Sequence, residues 1–318
     1  MRFIQTVAGR VQPEDLGFTQ SHEHILLRKG KSFQVNKVLW QDDTYKSGLE
    51  LEDYRLAGGS ALVDAQPVGC GRMAREMAEI SESSGIKIIA STGFHKLIFY
   101  PEDHWIQNLP GKDLEELFVS ELKEGMFEDG DDAYPEDRTG IAAGQIKTAL
   151  DTEGLTPRYT RLFLAAASAQ KRTGAPVMIH IENGADPEPV FDLFTGEGVP
   201  AEKLIFCHLD RACADFEKHL RIARAGAWLE YDTIGRFKYH SDEEEIRLIL
   251  ELFSAGLQDR LLCSLDTTRA RLGRYGGDIS LTYLIRTFLP ALQAAGAAKE
   301  QIEKMTVLNP AAAFSINA

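Results

Sequence analysis

The 318-residue chain has no run of about 18 apolar residues, the length that crosses a bilayer, which argues against a membrane span. Its opening residues, Met1-Arg2-Phe3-Ile4-Gln5, lack the basic and apolar segments of a secretion signal, so a reduced, cytoplasmic setting is expected. Cysteine is scarce. The four present, Cys70, Cys207, Cys213 and Cys263, form no CxxC pair and no framework spacing. Cys207 and Cys263 fall inside apolar strand-like runs and are expected to be buried free thiols. Positive charge is in deficit: 35 Lys and Arg face 48 Asp and Glu, a net charge of −13. Nucleic acid, whose phosphates need clustered Lys and Arg, is therefore not the expected partner. A small substrate stays open, since a site can be locally basic in an acidic protein. Repeats, low-complexity tracts and linkers are absent too, while 44% of the residues are hydrophobic, ample for a large core.

What the chain does have is a regular alternation of strand and helix patterns. Strand candidates are Phe18–Ile25, Ser60–Pro67, Lys87–Phe94, Ala143–Leu150, Pro176–Glu182, Leu204–Asp210, Trp228–Ile234 and Leu261–Thr267. Between them lie amphipathic stretches such as Gly71–Ser84, Pro157–Thr173, Asp215–Ala225 and Ser241–Ala255, with apolar residues three and four apart. Gly85, Gly174, Gly226 and Gly256 follow these helices where a left-handed cap is needed. Such alternation demands parallel pairing and right-handed crossovers. Length alone would suggest about two domains, but (β/α)8 barrels run to about 250 residues plus insertions as one domain. The expected fold is thus an α/β TIM barrel over residues 1–318. Residues 1–17 read as a hairpin, Phe3–Val7 and Arg10–Gln12, that caps the barrel's bottom. Residues 97–142 form a long insertion after the third strand, either a lid over the mouth or an added helix pair.

Barrel chemistry sits at the C-terminal ends of the strands. Ser21-His22-Glu23-His24 ends the first strand, and residues two apart share a face, so His22 and His24 project together. Lys147 lies on the fourth strand, His180 on the fifth, His208 on the sixth and Asp266 on the eighth. One such histidine is usually a satisfied core residue, because an unpaired buried imidazole is costly. Four of them converging on one mouth with an aspartate are better explained as metal ligands. Lys147 reads either as a buried ammonium paired with a carboxylate or as an amine carbamylated by CO2, a two-oxygen anionic bridge.

His22-x-His24, Lys147, His180, His208 and Asp266, in this order and spacing, resemble the phosphotriesterase-like branch of the amidohydrolase superfamily. The resemblance spans the chain, including Thr139-Gly140-Ile141, Gly144-Gln145-Ile146-Lys147 and Asn309-Pro310. It implies two divalent metal ions, zinc by usual expectation, with manganese, cobalt or iron suited to the same shell. His22, His24 and Asp266 would hold one ion and His180 and His208 the other, joined by carbamylated Lys147 and a hydroxide. Asp266 would also be the catalytic proton acceptor; a ligand without a proton role is the plainer reading.

The family includes organophosphate triesterases and several lactonases. Triesterases carry a run like His-Ser-Asp-Asp after strand six, where this chain has His208-Leu209-Asp210-Arg211. After strand seven they carry Asp-His, here Asp232-Thr233. The relay histidine is missing, which turns the expectation toward ester-ring opening. Lys238, Arg269, Arg271 and Arg274, with Tyr275, lie in the loops that often bind phosphate in these barrels. Lys238 and Arg269 resemble the phosphate grip of sugar-lactone members, although Leu272 stands where a tyrosine would be expected. Solvated loop charges are the plain alternative. His95-Lys96 reads as a substrate-binding pair at the mouth or as an exposed strand end. The expectation is a lactonase for a small anionic lactone, a sugar lactone or its phosphate. The alternatives are an organophosphate or N-acyl-homoserine-type lactone hydrolase and a non-catalytic sugar- or phosphate-binding barrel. A homodimer stays open.

Overall fold

The structure is a computed structural model that describes residues 2–317. Strands β1 (Arg2–Thr6) and β2 (Gly9–Val11) pair antiparallel as the expected hairpin. Eight further segments make the barrel wall: β3 (Thr19–Glu23), β4 (Ala61–Asp64), β5 with β6 (Lys87–Ile89 and Ser91–Gly93), β7 (Gln145–Leu150), β8 (Val177–Ile181), β9 (Leu204–Cys207), β10 (Trp228–Tyr231) and β11 (Leu261–Cys263). Each lies inside its expected span, trimmed where the chain turns toward the mouth. A short β12 (Ile316–Asn317) adds to the free edge of β1, a pairing too brief to read from sequence.

The wall strands pair in parallel from β3 through β5 and from β6 through β11. β5 and β6 are one strand broken at Ala90; the first half pairs with β4 and the second with β7. Gly93 is required there: with φ of 98°, an added Cβ would lie 1.9 Å from the Lys147 carbonyl oxygen. The hairpin closes the N-terminal end. Val7 N–H donates to Ile88 C=O at 2.9 Å, and a Cβ on Gly144 would lie 2.2 Å from the Gln5 carbonyl oxygen.

The seam between β11 and β3 is closed by few bonds. Asp266 N–H donates to His22 C=O at 3.1 Å. Ser21 Oγ donates to Cys263 C=O at 3.4 Å, and the buried Glu23 carboxylate accepts from Leu265 N–H at 2.9 Å, Thr267 N–H at 2.9 Å and Thr267 Oγ1 at 2.6 Å. A side chain thus replaces ladder bonds where the strand ends diverge to form the mouth. Below the mouth, Val63, Ile89, Met178, Ile205, Trp228 and Leu262 fill the barrel interior, all buried.

The outer helices form as patterned. Ala74–Ser84 and Pro157–Thr173 end on left-handed Gly85 and Gly174. Asp242–Ser254 starts on a Ser241/Glu244 capping box. Helix Gly111–Lys123 of the insertion buries Leu114, Leu117 and Phe118 and packs on helix Pro157–Thr173. Arg161 fixes the segment leading into it by donating to the carbonyls of Ile106, Gln107 and Leu109. The insertion is therefore chiefly an added piece of the outer layer. Among the described residues, Phe99 is its one contribution to the mouth cavity. Cys70, Cys207 and Cys263 are buried and free, and no described helix is long and apolar enough to cross a membrane.

Glu23→Ala strips the acceptor from three buried donors. At about 1–3 kcal/mol for each donor left unpaired, the variant is expected to lose at least about 3 kcal/mol, read as a lower midpoint in urea unfolding. An unchanged midpoint would mean that the seam holds without this carboxylate.

Candidate metal centre

Three local departures from regular strand geometry aim side chains into the mouth. On β3 the step from Gln20 to Glu23 opposes only the step from Leu62 to Asp64 on β4, a one-residue bulge. It re-aims the strand end, as bulges beside sites do, and leaves the rings of His22 and His24 5.6 Å apart. His208 and Asp266 both adopt left-handed backbone, at φ of 66° and 48°. Non-glycine residues seldom do so, and the cost is borne mainly at functional sites.

The result is a close cluster of donor atoms. Lys147 Nζ lies 3.1 Å from His22 Nε2, and His208 Nε2 lies 2.8 Å from His180 Nδ1. Asp266 Oδ1 is 3.5 Å from His24 Nε2 and 3.9 Å from His22 Nε2. All six residues expected as ligands thus meet at the barrel mouth, in or next to the buried layer.

Buried carboxylates decide which imidazole nitrogens face inward. Asp232 is fully buried, with Oδ2 2.7 Å from His22 Nδ1 and Oδ1 2.5 Å from His208 Nδ1. When ionised, Asp232 can only accept, and both Nδ1 atoms then carry the proton while both Nε2 atoms present lone pairs. On the other side, Glu182 Oε2 lies 3.3 Å from His180 Nε2, which turns the His180 Nδ1 lone pair inward. The facing nitrogens of His180 and His208 are then both acceptors at 2.8 Å, an arrangement that repels unless a cation or proton lies between them. This donor set fits a divalent metal, with the supporting carboxylates that histidine ligands normally have.

The electrostatics agree. Burial, helped by the nearby Lys147, holds His22 well below its usual range. Burial likewise lowers His24 and His180 to about 4 and depresses His208. All four imidazoles are neutral at pH 7, the form that ligates. Burial also lowers the Lys147 ammonium, favouring a free amine. For Asp266, burial opposes ionisation, but the nearby cations, Arg236 above all and also Arg211, outweigh it and hold the carboxyl low. Arg236 Nη2 sits 2.9 Å from Asp266 Oδ2. Burial pushes Asp232 up, so its anionic form depends on its two N–H donors and on positive charge above it.

The cluster floors a cavity of about 600 Å³, within the usual range for small-molecule sites. Its walls carry Lys96, Arg211, Arg236, Lys238 and Arg271 against Glu182, Asp266 and Asp278. Val38, Leu39, Phe99 and Phe237 supply apolar rim. Of the residues expected at the substrate, His95 and Lys238 line this cavity. Arg269, Arg274 and Tyr275 are not among its lining residues. The Arg269 guanidinium stacks 4.3 Å from the Trp40 ring. Tyr275 Oη lies 2.8 Å from both Ser47 Oγ and Asp43 C=O, and Arg274 pairs with half-buried Asp53 at 2.7 and 2.8 Å. Leu272 explains the placement: it is fully buried, and anchoring it turns the following residues onto helix Thr44–Leu56.

Sequence reasoning passed over Asp232, Glu182 and Arg236. A signal existed for the first two: Asp232 stands two residues past Glu230 on one strand, and Glu182 two past His180, at the period that shares a face. Arg236 had none, because its contact with Asp266 joins two separate loops.

The model of the phosphotriesterase family matches residues 2–314, and the chain belongs to that family of hydrolases. It is 28% identical to the N-acetyltaurine hydrolase of Tetraodon nigroviridis, over 96% of each chain. It is also 28% identical to the phospho-furanose lactonase of Mycoplasmopsis synoviae, over 97% of this chain and 90% of that one. Among solved structures, a lactonase from Listeria monocytogenes superposes with a TM-score of 0.90 at 30% identity, covering 99% of this chain and all of the other. Such likeness over the full length fixes the fold as a TIM barrel.

Asp232→Asn keeps the shape but offers one acceptor oxygen where two N–H groups need one each. Loss of such a supporting partner typically costs about 10–100-fold in metal affinity, so a chelator should strip divalent metal from the variant at correspondingly lower concentration. Equal retention by both proteins would show that Asp232 does not set the imidazole tautomers.

Proposed function

We propose that this protein is a binuclear metal-dependent lactonase that opens a small anionic lactone, a sugar lactone or its phosphate. The observation that carries the reading is the convergence of neutral imidazoles, a buried amine and Asp266 beneath a cation-rich wall. His22, His24 and Asp266 would hold one divalent ion, and His180 and His208 the other. Lys147 would bridge them as a carbamate: its neutral amine adds to the carbon of CO2, and one proton leaves. Zinc suits this N/O set, as do manganese, cobalt and iron. When bound, two such ions supply a hydroxide nucleophile near neutral pH and draw charge from the scissile carbonyl.

The chain's own residues do the remaining work. Asp266 takes the proton of the attacking water and returns it to the ring oxygen that leaves, so the lactone becomes a hydroxy acid. Arg236 holds Asp266 Oδ2 and keeps the carboxyl ionised until that proton arrives. Lys238 meets the substrate's anion at the cavity wall. His95 lines the floor beside His180. Thr233 replaces the relay histidine of triesterases, and its hydroxyl is committed to Asp210 at 2.5 Å, which disfavours organophosphates.

An anionic amide is a second reading, favoured by the same cationic wall and by the N-acetyltaurine hydrolase among the relatives. A panel of free and 5-phosphorylated aldonolactones, N-acetyltaurine and paraoxon separates these readings. Turnover is expected to be fastest on a phosphorylated lactone, abolished by chelation and restored by divalent metal. Rapid paraoxon hydrolysis with no lactone opened would reverse the assignment. Lys238→Ala should raise KM more for phosphorylated than for neutral lactones; equal increases would reject its role at the anion.

A further inference from the structure

Most of the arginines around the mouth and the loop after β11 are already committed. Arg236 is paired with Asp266, Arg271 donates to the carbonyls of Leu265 and Ile234, Arg274 is held by Asp53, and Arg269 is stacked on Trp40. Arg211, from the turn after β9, is different. Its side chain is only 5% exposed, yet Nε and Nη1 have no hydrogen-bond partner among the described residues. The acid nearest to it is Glu182, 3.8 Å from Nη1, and that carboxylate is already engaged by Lys96 at 2.5 Å and His180 at 3.3 Å. Leaving guanidinium donors unpaired out of water is costly. An incoming oxyanion would relieve that cost without breaking any existing hydrogen bond.

The surroundings hold Arg211 for such a ligand. Its guanidinium lies 4.9 Å from the centroid of Tyr239, and Lys238 Nζ lies 4.5 Å from the same centroid. One ring thus gathers two cations, and both line the cavity with His180 and His208. Two like charges collected in this way repel unless an anion joins them. Arginine's planar fork is suited to binding two oxygens of one carboxylate, phosphate or sulfonate.

We propose that Arg211 is the specificity-determining residue of this site, binding the oxyanion of the substrate across from Lys238, with Glu182 as its counter-charge before substrate binds. The proposal rests on the reading of the cavity as a hydrolase site for an anionic substrate. It assigns the anion to the strand-six turn beside His208 and not only to the loops after strands seven and eight.

The test uses metal-loaded protein and Arg211→Ala and Arg211→Lys, each checked for equal metal content. Inorganic sulfate is titrated against thermal unfolding, a readout that needs no knowledge of the substrate. Arg211→Ala should weaken the apparent sulfate affinity at least tenfold and Arg211→Lys less. Affinity within twofold of the parent would overturn the proposal. On a matched pair of lactones, Arg211→Ala should raise KM for the phosphorylated one at least tenfold more than for the neutral one. Equal increases would overturn it as well. If the parent opens no lactone, the proposed substrate fails while the sulfate titration still decides Arg211.

Discussion

A single buried carboxylate, Asp232, governs the geometry of the mouth. Accepting from His22 and His208 together, it fixes two tautomers on strands far apart in sequence. Both Nε2 lone pairs then point where Lys147, His180 and Asp266 also converge. Without that acceptor each imidazole could place its proton on either nitrogen, and the cluster would lose its common direction. The arrangement carries a reciprocal demand. A carboxylate this deep is costly to ionise, so positive charge above it stabilises Asp232 just as Asp232 orients the ligating atoms. Site and support are stable together or not at all.

Bringing these groups together depends on how the barrel closes. Eight strands converge at their C-terminal ends only if the first and last are tied, and here Glu23 supplies the tie through loop N–H groups. It belongs to the same Ser21-His22-Glu23-His24 segment whose histidines face the opposite way. The bulge between Gln20 and Glu23 makes that division workable, giving one short segment both a structural and a chemical face. Above this floor, cations outnumber anions on the cavity wall although the whole chain is acidic. Local charge, not net charge, is what a small substrate meets.

Much of this was legible in the sequence because it depends on local period. Eight apolar segments alternating with amphipathic helices gave the barrel, and histidines late on those segments gave the floor. Glycine caps at Gly85 and Gly174 marked helix ends where they occur. What escaped depends on contacts between distant segments. Asp232 and Glu182 each stood two residues from a fellow inward side chain, but their task appears only once the rings lie beside them. Arg274 and Tyr275 were expected at the substrate because their loop is a common phosphate loop. Burial of Leu272 turns them onto a neighbouring helix instead. The pairing of β12 with β1 joins the two ends of the chain, and a two-residue strand has no pattern to read.

The central claim is that two cations share this cluster with Lys147 as their carbamate bridge. Crystals of protein grown in metal-supplemented medium, with anomalous diffraction collected at the metal absorption edge, test it most directly. The account predicts two peaks roughly 3.5–4 Å apart, one beside His22, His24 and Asp266 and the other beside His180 and His208. It also predicts carboxylate density continuous with Lys147 Nζ. A single peak, or two peaks beside an unmodified lysine, would contradict it.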